Sequence, residues 1–453
     1  MRAPYLDDGD VRLYLGDCIE VMAEMDEGSV DAVVCDPPYG LEFMGKGWDA
    51  PWKAAGAVIR DPATERGGFQ DGNGGNPYSR SRIEYGRGGQ ASVAFAAWCE
   101  TWAREAARVL KPGGHLLAFG GTRTYHRLTC GIEDAGFEIR DSIAWNGAPL
   151  PTVLQWVYGS GFPKSLDVSK AIDKAAGAER EDVYEDKPGV TNNTAYGKGL
   201  GVRLIERRPA TDAAQQWQGW GTALKPGWEP CVVARKPLAG TVAENVQAHG
   251  TGAINVDGCR IGSGGGGTHC TNRDDAGKCR GHANAGRSTS GETFHGPDTS
   301  AGRWPANLVL DEQAAAMLDA QSGERAGGNF PAELTGTSIF GLNGHSQDAR
   351  SMGDSGGASR FFYTAKASRS DRSTNGANNT HPTVKPTDLM RWLVRLVTPP
   401  GGVVLDPFAG SGSTLVAARA EGVRCIGIER EDEYARIIAA RLSQLSLLSE
   451  DAS

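Results

Sequence analysis

The stretch from Gly401 to Glu429 constrains this 453-residue chain more than any other. GGVVLDPF (401–408) is an apolar run of strand length. SGSTLVAARAEG has the composition and terminal glycine of a helix, and Gly410 and Gly412 form the turn between them. VRCIGIE (423–429) reads as a second strand, closed by Glu429 about 20 residues beyond the turn. Glycine lets the backbone pass close to a bound molecule, and the helix start offers unpaired N–H groups. A carboxylate ending the next strand can accept hydrogen bonds from ribose hydroxyls. GSGST lacks the third glycine of a dinucleotide fingerprint and the GK[ST] of a phosphate loop.

The first 150 residues alternate in the same way. VRLYLGDC (11–18) and DAVVCDPP (31–38) read as strands, with a short helix at Ile19–Met25 between them. SVAFAAWCETWAREAARVLKPGG carries apolar residues at helical spacing and ends on Lys-Pro-Gly-Gly. HLLAFG (115–120), TRTYHRLTCGIEDAG and FEIRDSIAW continue as strand, helix and strand. After His381 the pattern returns with the helix TDLMRWLVRLV, the unit above, and a final helix in DEYARIIAARLSQL. Strands alternating with helices imply a parallel sheet covered on both faces, so the two ends of the chain read as halves of one α/β sheet.

Asp36-Pro37-Pro38-Tyr39 stands at the carboxyl end of an apolar strand, the edge where open α/β sheets bind ligands. A residue before proline is held extended, which presents Asp36 and the Pro37 carbonyl rigidly. Two such acceptors can take both hydrogens of an aromatic amine, and Tyr39 can stack on the ring that carries it. Alone, DPP is as well explained by a strand-ending turn with a capping Asp. Paired with the glycine unit, it points to chemistry.

Between these halves the character changes. Residues 160–345 show one clear helix (Asp167–Ala176), a strand-like PCVVARK (230–236) and long Gly/Ser/Asn/Thr stretches, and residues 263–296 approach low complexity. Residues 40–90 have no period and read as a long loop, of which Gly40–Asp49 is a candidate lid. The 63 glycines reflect this irregularity. Net charge is −8, which by itself argues against a nucleic-acid partner. Arg350, Arg360, Lys366, Arg369, Arg372, Lys385, Arg391 and Arg395, set against Asp348, Asp354, Asp371 and Asp388, could form a local basic stripe, although a solvated loop explains the charges equally well. His269, Cys270, Cys279, His282 and His295 match no familiar zinc spacing, so no metal is expected. No apolar run reaches the roughly 20 residues of a membrane span. MRAPYLDDGD lacks the apolar core of a signal peptide. With nine scattered cysteines read as reduced thiols, the expectation is a cytoplasmic protein without membrane contact.

DPFAGSGST resembles the S-adenosylmethionine motif DPFxGSGTT of amino-group DNA methyltransferases, with Ser413 where Thr is common. DPPY resembles their catalytic motif. Its position before the cofactor motif is similar to the β group of N6-adenine and N4-cytosine enzymes. GDC before the DPPY strand, LKPGG, and THPTVKP (380–386) match as well. GFPKSLDVSKAIDKAAG and EPCVVARKPLAGTVAENV look like phage and prophage members. The resemblance implies a circularly permuted Rossmann-like methyltransferase sheet with a large inserted target-recognition region. It implies that Asp36, Pro37, Pro38 and Tyr39 are catalytic, and that Asp17, Asp406, Phe408, Gly410, Gly412, Glu429, Thr383 and Lys385 line the cofactor site. The domains expected are 1–150 (catalytic half), 151–239 (its extension), 240–360 (target recognition, partly disordered) and 361–453 (cofactor half).

The function implied is transfer of a methyl group from S-adenosylmethionine to N6 of adenine in double-stranded DNA. A base inside a duplex cannot reach the cofactor, so it must be flipped out. Asp in DPPY favours adenine, because N4-cytosine members usually carry Ser there, and N4-cytosine is the alternative. An RNA or protein amine methyltransferase would normally place the glycine motif first, and an inactive DNA-binding module would not be expected to keep Asp36, Tyr39, Gly410 and Glu429. A homodimer and a separate cognate restriction enzyme are left open as partners.

Overall fold

Alternating side chains in the buried strands account for the layering of this computed structural model. It describes residues 2–40, 90–140, 153–159, 165–186, 202–262, 302–324, 356–365 and 377–450, with positions 144–145, 148–149, 371 and 373–374 between them. By chain contacts the molecule divides into one unit of residues 1–159 and 228–453 and a second of 160–227.

The larger unit begins with β1 (Leu6–Asp7), β2 (Val11–Leu15), α1 (Cys18–Ala23) and β3 (Val30–Cys35). It continues through α2 (Gln90–Val109), β4 (Leu110–Phe119), α3 (Tyr125–Asp134) and β5 (Glu138–Ile139). Two-residue strands β6 (Ala144–Trp145) and β7 (Ala148–Pro149) pair with each other, and β8 (Val153–Val157) follows. The smaller unit holds α4 (Val168–Ala175), β9 (Glu181–Asp186), β10 (Val202–Arg208) and α5 (Asp212–Gln216). The chain then re-enters the larger unit with β11 (Trp228–Arg235), α6 (Val242–His249), β12 (Leu308–Asp311), α7 (Glu312–Ser322) and β13 (Tyr363–Ala365). After the short β14 (Ser373–Thr374) and β15 (Ala377–Asn378) come α8 (Thr387–Val397), β16 (Val403–Asp406), α9 (Ser413–Ala420), β17 (Arg424–Glu429) and α10 (Asp432–Glu450).

Eleven strands form one mixed sheet in the order β1-β2-β17-β16-β3-β4-β11-β8-β12-β13, with β5 added to β11. Strands from both ends of the chain therefore share it, and the carboxy-terminal β16 and β17 lie between β2 and β3. The five strands β2, β17, β16, β3 and β4 run parallel. Along β3, Ala32 and Val34 face a core built with α8, α9 and α10, whereas Val33 and Cys35 face one built with α1, α2 and α3. On α2, Phe95, Trp98, Cys99, Trp102, Ala103 and Ala106 recur every three or four residues and form its buried stripe.

Asp31 is buried within β3, a cost met only by full pairing. Its Oδ1 accepts from Lys111 Nζ on β4 at 2.6 Å, and its Oδ2 from the Val403 N–H on β16 at 2.8 Å. One carboxylate thus joins three strands. The Lys-Pro-Gly-Gly segment that reads as helix punctuation is instead the irregular start of β4, where the register with β3 shifts between Val30 and Ala32. The predicted strand FEIRDSIAW contributes only β5 and β6 among the described residues. The middle of the chain also supplies more sheet than its composition suggests, since β8, β11, β12 and β13 extend it. No helix among the described residues is long and apolar enough to cross a membrane.

In the smaller unit Asp167 caps α4 through the Lys170 N–H, and Thr211 caps α5 through the Ala214 N–H. Buried Asp173 organises it, accepting from Arg180 Nε at 2.7 Å, the Ala210 and Thr211 N–H groups and the Thr211 hydroxyl. Trp217 and Trp220 lie exposed and edge to face.

Asp31→Ala should cost about 1–3 kcal/mol, chiefly by leaving the Val403 N–H without its acceptor. Urea denaturation should show a lower midpoint with an unchanged slope.

Candidate functional site

Parallel strands end together, so the residues following β2, β17, β16, β3 and β4 share one edge. Strand order fixes where on that edge a ligand is received. The crossover from β16 through α9 to β17 moves one way along the sheet, and that from β3 through α2 to β4 moves the other. The reversal lies between β16 and β3, the point at which open α/β sheets form their crevice. Asp406 ends one of these strands and Asp36 follows the other.

On the β16 side the glycine turn is built as its sequence requires. Gly410 and Gly412 adopt φ of +53° and +79°. A Cβ at Gly410 would stand 3.0 Å from the His381 ring, and one at Gly412 3.0 Å from Ile438. The Gly410 N–H donates to Glu429 Oε2 at 2.7 Å, and the Glu431 N–H to Glu429 Oε1 at 2.8 Å. Burial pushes the Glu429 carboxyl up to about 7, against those N–H donors. Asp406 is pushed to about 7 mainly by burial, opposed by the Thr414 hydroxyl and the Phe408 N–H. Asp36 and Glu429 add to its rise. The Phe408 ring packs between Trp98 and Trp102 of α2, with centroids 5.8 and 5.2 Å away. Asp17, just beyond β2, caps α1 by accepting from the Ile19 and Glu20 N–H groups, both on Oδ1. The neighbouring Gly16 N–H donates to the Glu429 carbonyl, so Asp17 and Glu429 lie on adjacent strand ends. Thr383 is exposed, and its backbone meets Nδ1 of His381.

On the β3 side Asp36 heads a buried cluster. Lys385 Nζ donates to Asp36 Oδ2 at 2.6 Å, and the Tyr39 hydroxyl donates to Asp36 Oδ1 at 2.8 Å. The same hydroxyl contacts Glu229 Oε1, which also receives Lys385 Nζ at 3.4 Å. Lys385, Asp36 and Glu229 side chains are only 7%, 20% and 13% exposed. Burial opposes the Lys385 charge, yet Asp36 and Glu229 outweigh it, and its affinity for a proton rises. Burial and the two carboxylates hold the Tyr39 phenol neutral, well above its usual range. The Tyr39 carbonyl accepts from the Thr124 hydroxyl at 2.7 Å, which anchors the tetrapeptide to the start of α3.

The structure thus groups Asp36 and Tyr39 with Lys385, which the sequence placed among the cofactor-lining residues. Glu229 was outside the sequence-based set. Its strand, β11, runs antiparallel to β4 with Cys231 opposite Phe119, so its first residues reach the carboxyl edge where a parallel strand would bring its last. Of the expected basic stripe, Arg391 and Arg395 both close on Glu421 at 2.7 Å. Arg350, Lys366, Arg369 and Arg372 lie outside the described residues, as do residues 41–49 of the candidate lid and all five discounted Cys/His positions.

The edge thus carries a glycine turn and two carboxyl groups on one side and the Asp-Pro-Pro-Tyr segment on the other. A family model for DNA methylases of the N6/N4 group matches residues 30–164 and 335–440, more than half of the chain, which belongs to that family. The chain is therefore an S-adenosylmethionine-dependent DNA methyltransferase. It is 22% identical over 441 residues to the type II methyltransferase M.HindIII of Haemophilus influenzae, spanning 95% of this chain and 94% of the relative. A 62-residue stretch is 47% identical to the type II methyltransferase M2.DpnII of Streptococcus pneumoniae, over 14% of this chain and 23% of that one. Among solved structures, the cytosine-N4-specific PvuII DNA methyltransferase aligns with a TM-score of 0.41 and 12% identity, covering 97% of this chain and 89% of that one. The M1.HpyAVI–SAM complex aligns at 0.35 and 15%, covering 95% and 98%.

A buried carboxyl whose proton affinity is raised favours the folded state below its ordinary value near pH 4 and loses that contribution as pH rises through about 7. The ligand-free protein should therefore lose thermal stability from about pH 5 to pH 8. Asp406→Asn should flatten part of that slope in a calorimetric pH series.

Proposed function

We propose that the chain methylates N6 of adenine in duplex DNA, with Asp36 and the Pro37 carbonyl as acceptors for the two amine hydrogens. The ion pair between Lys385 and Asp36 is the observation that carries this reading. It fixes the Asp36 acceptor at the switch point, preorganised where positive charge develops on the amine. Tyr39, tied at its hydroxyl, offers a ring of fixed orientation for the flipped base. An exocyclic amine is nearly neutral until the methyl arrives, so holding and polarising it matters more than removing a proton in advance. The preference for adenine rests on Asp at position 36.

The residues of the β16 side fit S-adenosylmethionine. Gly410 leaves room that a Cβ would fill, and Asp17 and Glu429 supply carboxylates on adjacent strand ends. Asp17, Glu429, Gly410, Gly412, Asp406, Phe408 and, through its backbone, Thr383 are the residues proposed to hold it. When bound, it supplies an electrophilic methyl group on sulfonium. Residues 240–360 are proposed to read the DNA sequence and residues 361–453 to complete the cofactor half, with residues 1–150 and their extension 151–239 forming the catalytic half.

Asp36→Ala should lower the rate by roughly 10²–10³ or more while cofactor affinity in calorimetry is unchanged. Mass spectrometry of digested, treated DNA should find N6-methyladenine. N4-methylcytosine alone would reassign the base, and near-normal turnover by the variant would remove Asp36 from the chemistry. Glu429→Ala should instead weaken cofactor binding by roughly 1.5–3 kcal/mol, and an unchanged Kd would refute its role.

A further inference from the structure

Methylation releases a proton from the amine, and the cluster behind Asp36 is arranged to take it away. The Tyr39 phenol has one hydrogen but contacts two carboxylates, Asp36 Oδ1 and Glu229 Oε1. Whichever carboxylate does not receive that hydrogen faces the phenol oxygen with a lone pair, which leaves a place for one more proton in the chain. Lys385 touches both acids and the phenol. A single ammonium therefore shares two partly buried carboxylates, and one of them gains a proton readily.

We propose that Glu229 is a positioning residue that acts through Tyr39 as the terminal proton acceptor for the amine held by Asp36. The inference rests on the assignment of Asp36 as amine acceptor. As the N–CH3 bond forms and the methyl–sulfonium bond breaks, its electron pair staying on sulfur, an N–H bond breaks and an O–H bond forms on Asp36. That proton passes to the Tyr39 oxygen while the Tyr39 hydrogen passes to Glu229, so Asp36 is again anionic and Tyr39 again neutral. Glu229 then holds the proton for release to solvent. Burial lifts the Glu229 carboxyl above the ordinary range, and Lys385 opposes that rise. The other titratable groups facing it are Asp36, Tyr39, Tyr158 beyond β8, and Cys231 on its own strand.

Glu229→Gln keeps the shape and the hydrogen-bonding reach but cannot accept the proton. Its single-turnover rate should fall about 10²-fold, the low end for a positioned proton acceptor, with KM for DNA and for cofactor within about twofold. The wild-type rate should rise with pH through the Glu229 ionisation, and this limb should vanish in the variant. Infrared difference spectra of the ligand-free protein, wild type minus Glu229→Gln over a pH series, should contain a carboxylic-acid band of Glu229 in addition to those that Asp406 and Glu429 give in both proteins. Tyr39→Phe breaks the chain at its middle, so the double variant should be no slower than the slower single one. A wild-type rate in Glu229→Gln, or a reduced rate with the pH limb and band intact, would overturn the inference. Near-normal turnover by Asp36→Ala, or wild-type protein that methylates neither adenine nor cytosine in DNA, would instead defeat the reading beneath it.

Discussion

The pairing of β16 with β3 is the contact on which the rest depends. Val404 lies opposite Ala32 and Leu405 opposite Val33, and this register sets Asp406 and Asp36 on adjacent strand ends across the reversal of strand order. The buried Asp31 carboxylate secures it by joining β3 to the first residue of β16. A slip of one residue would turn every side chain of β16 to the opposite face. The Asp406 carboxyl and the glycine turn would then leave the edge together.

From that register the two sides of the crevice acquire opposite characters. On the β16 side, burial outweighs the N–H donors, and Asp406 and Glu429 hold protons more tightly than free carboxyls. On the β3 side an ammonium 349 residues away in sequence is brought onto Asp36. Carboxyl groups a strand apart are thus given different partners, backbone N–H groups on one side and an ammonium on the other.

Much of this was legible in the sequence because it is local. Apolar runs of fixed length, a glycine turn and Pro-Pro after Asp36 announce their own conformations, so the parallel strands, α2 and α8 could be read directly. The parts that could not be read are those where distant segments meet. Lys385 sits in a motif that reads as cofactor-lining, yet its ammonium closes on Asp36. Glu229 is invisible to a reading that assumes parallel strands, because only an antiparallel β11 brings a strand's first residues to the carboxyl edge. α6 was missed for another reason. Its signals are strong, with a Thr241–Glu244 capping box and Gly250 in the left-handed region, but they lie inside a glycine-rich context that reads as loop.

The interleaving of chain ends has a consequence during synthesis. A nascent polypeptide that has displayed β2 and β3 still lacks the two strands that separate them, which emerge only from Val403 onward. Asp36, Glu229 and Lys385 become neighbours only after residue 385 emerges, and the glycine turn closes later still. A product cut short before Val403 carries the Asp-Pro-Pro-Tyr tetrapeptide without the strands that flank β3 on that side.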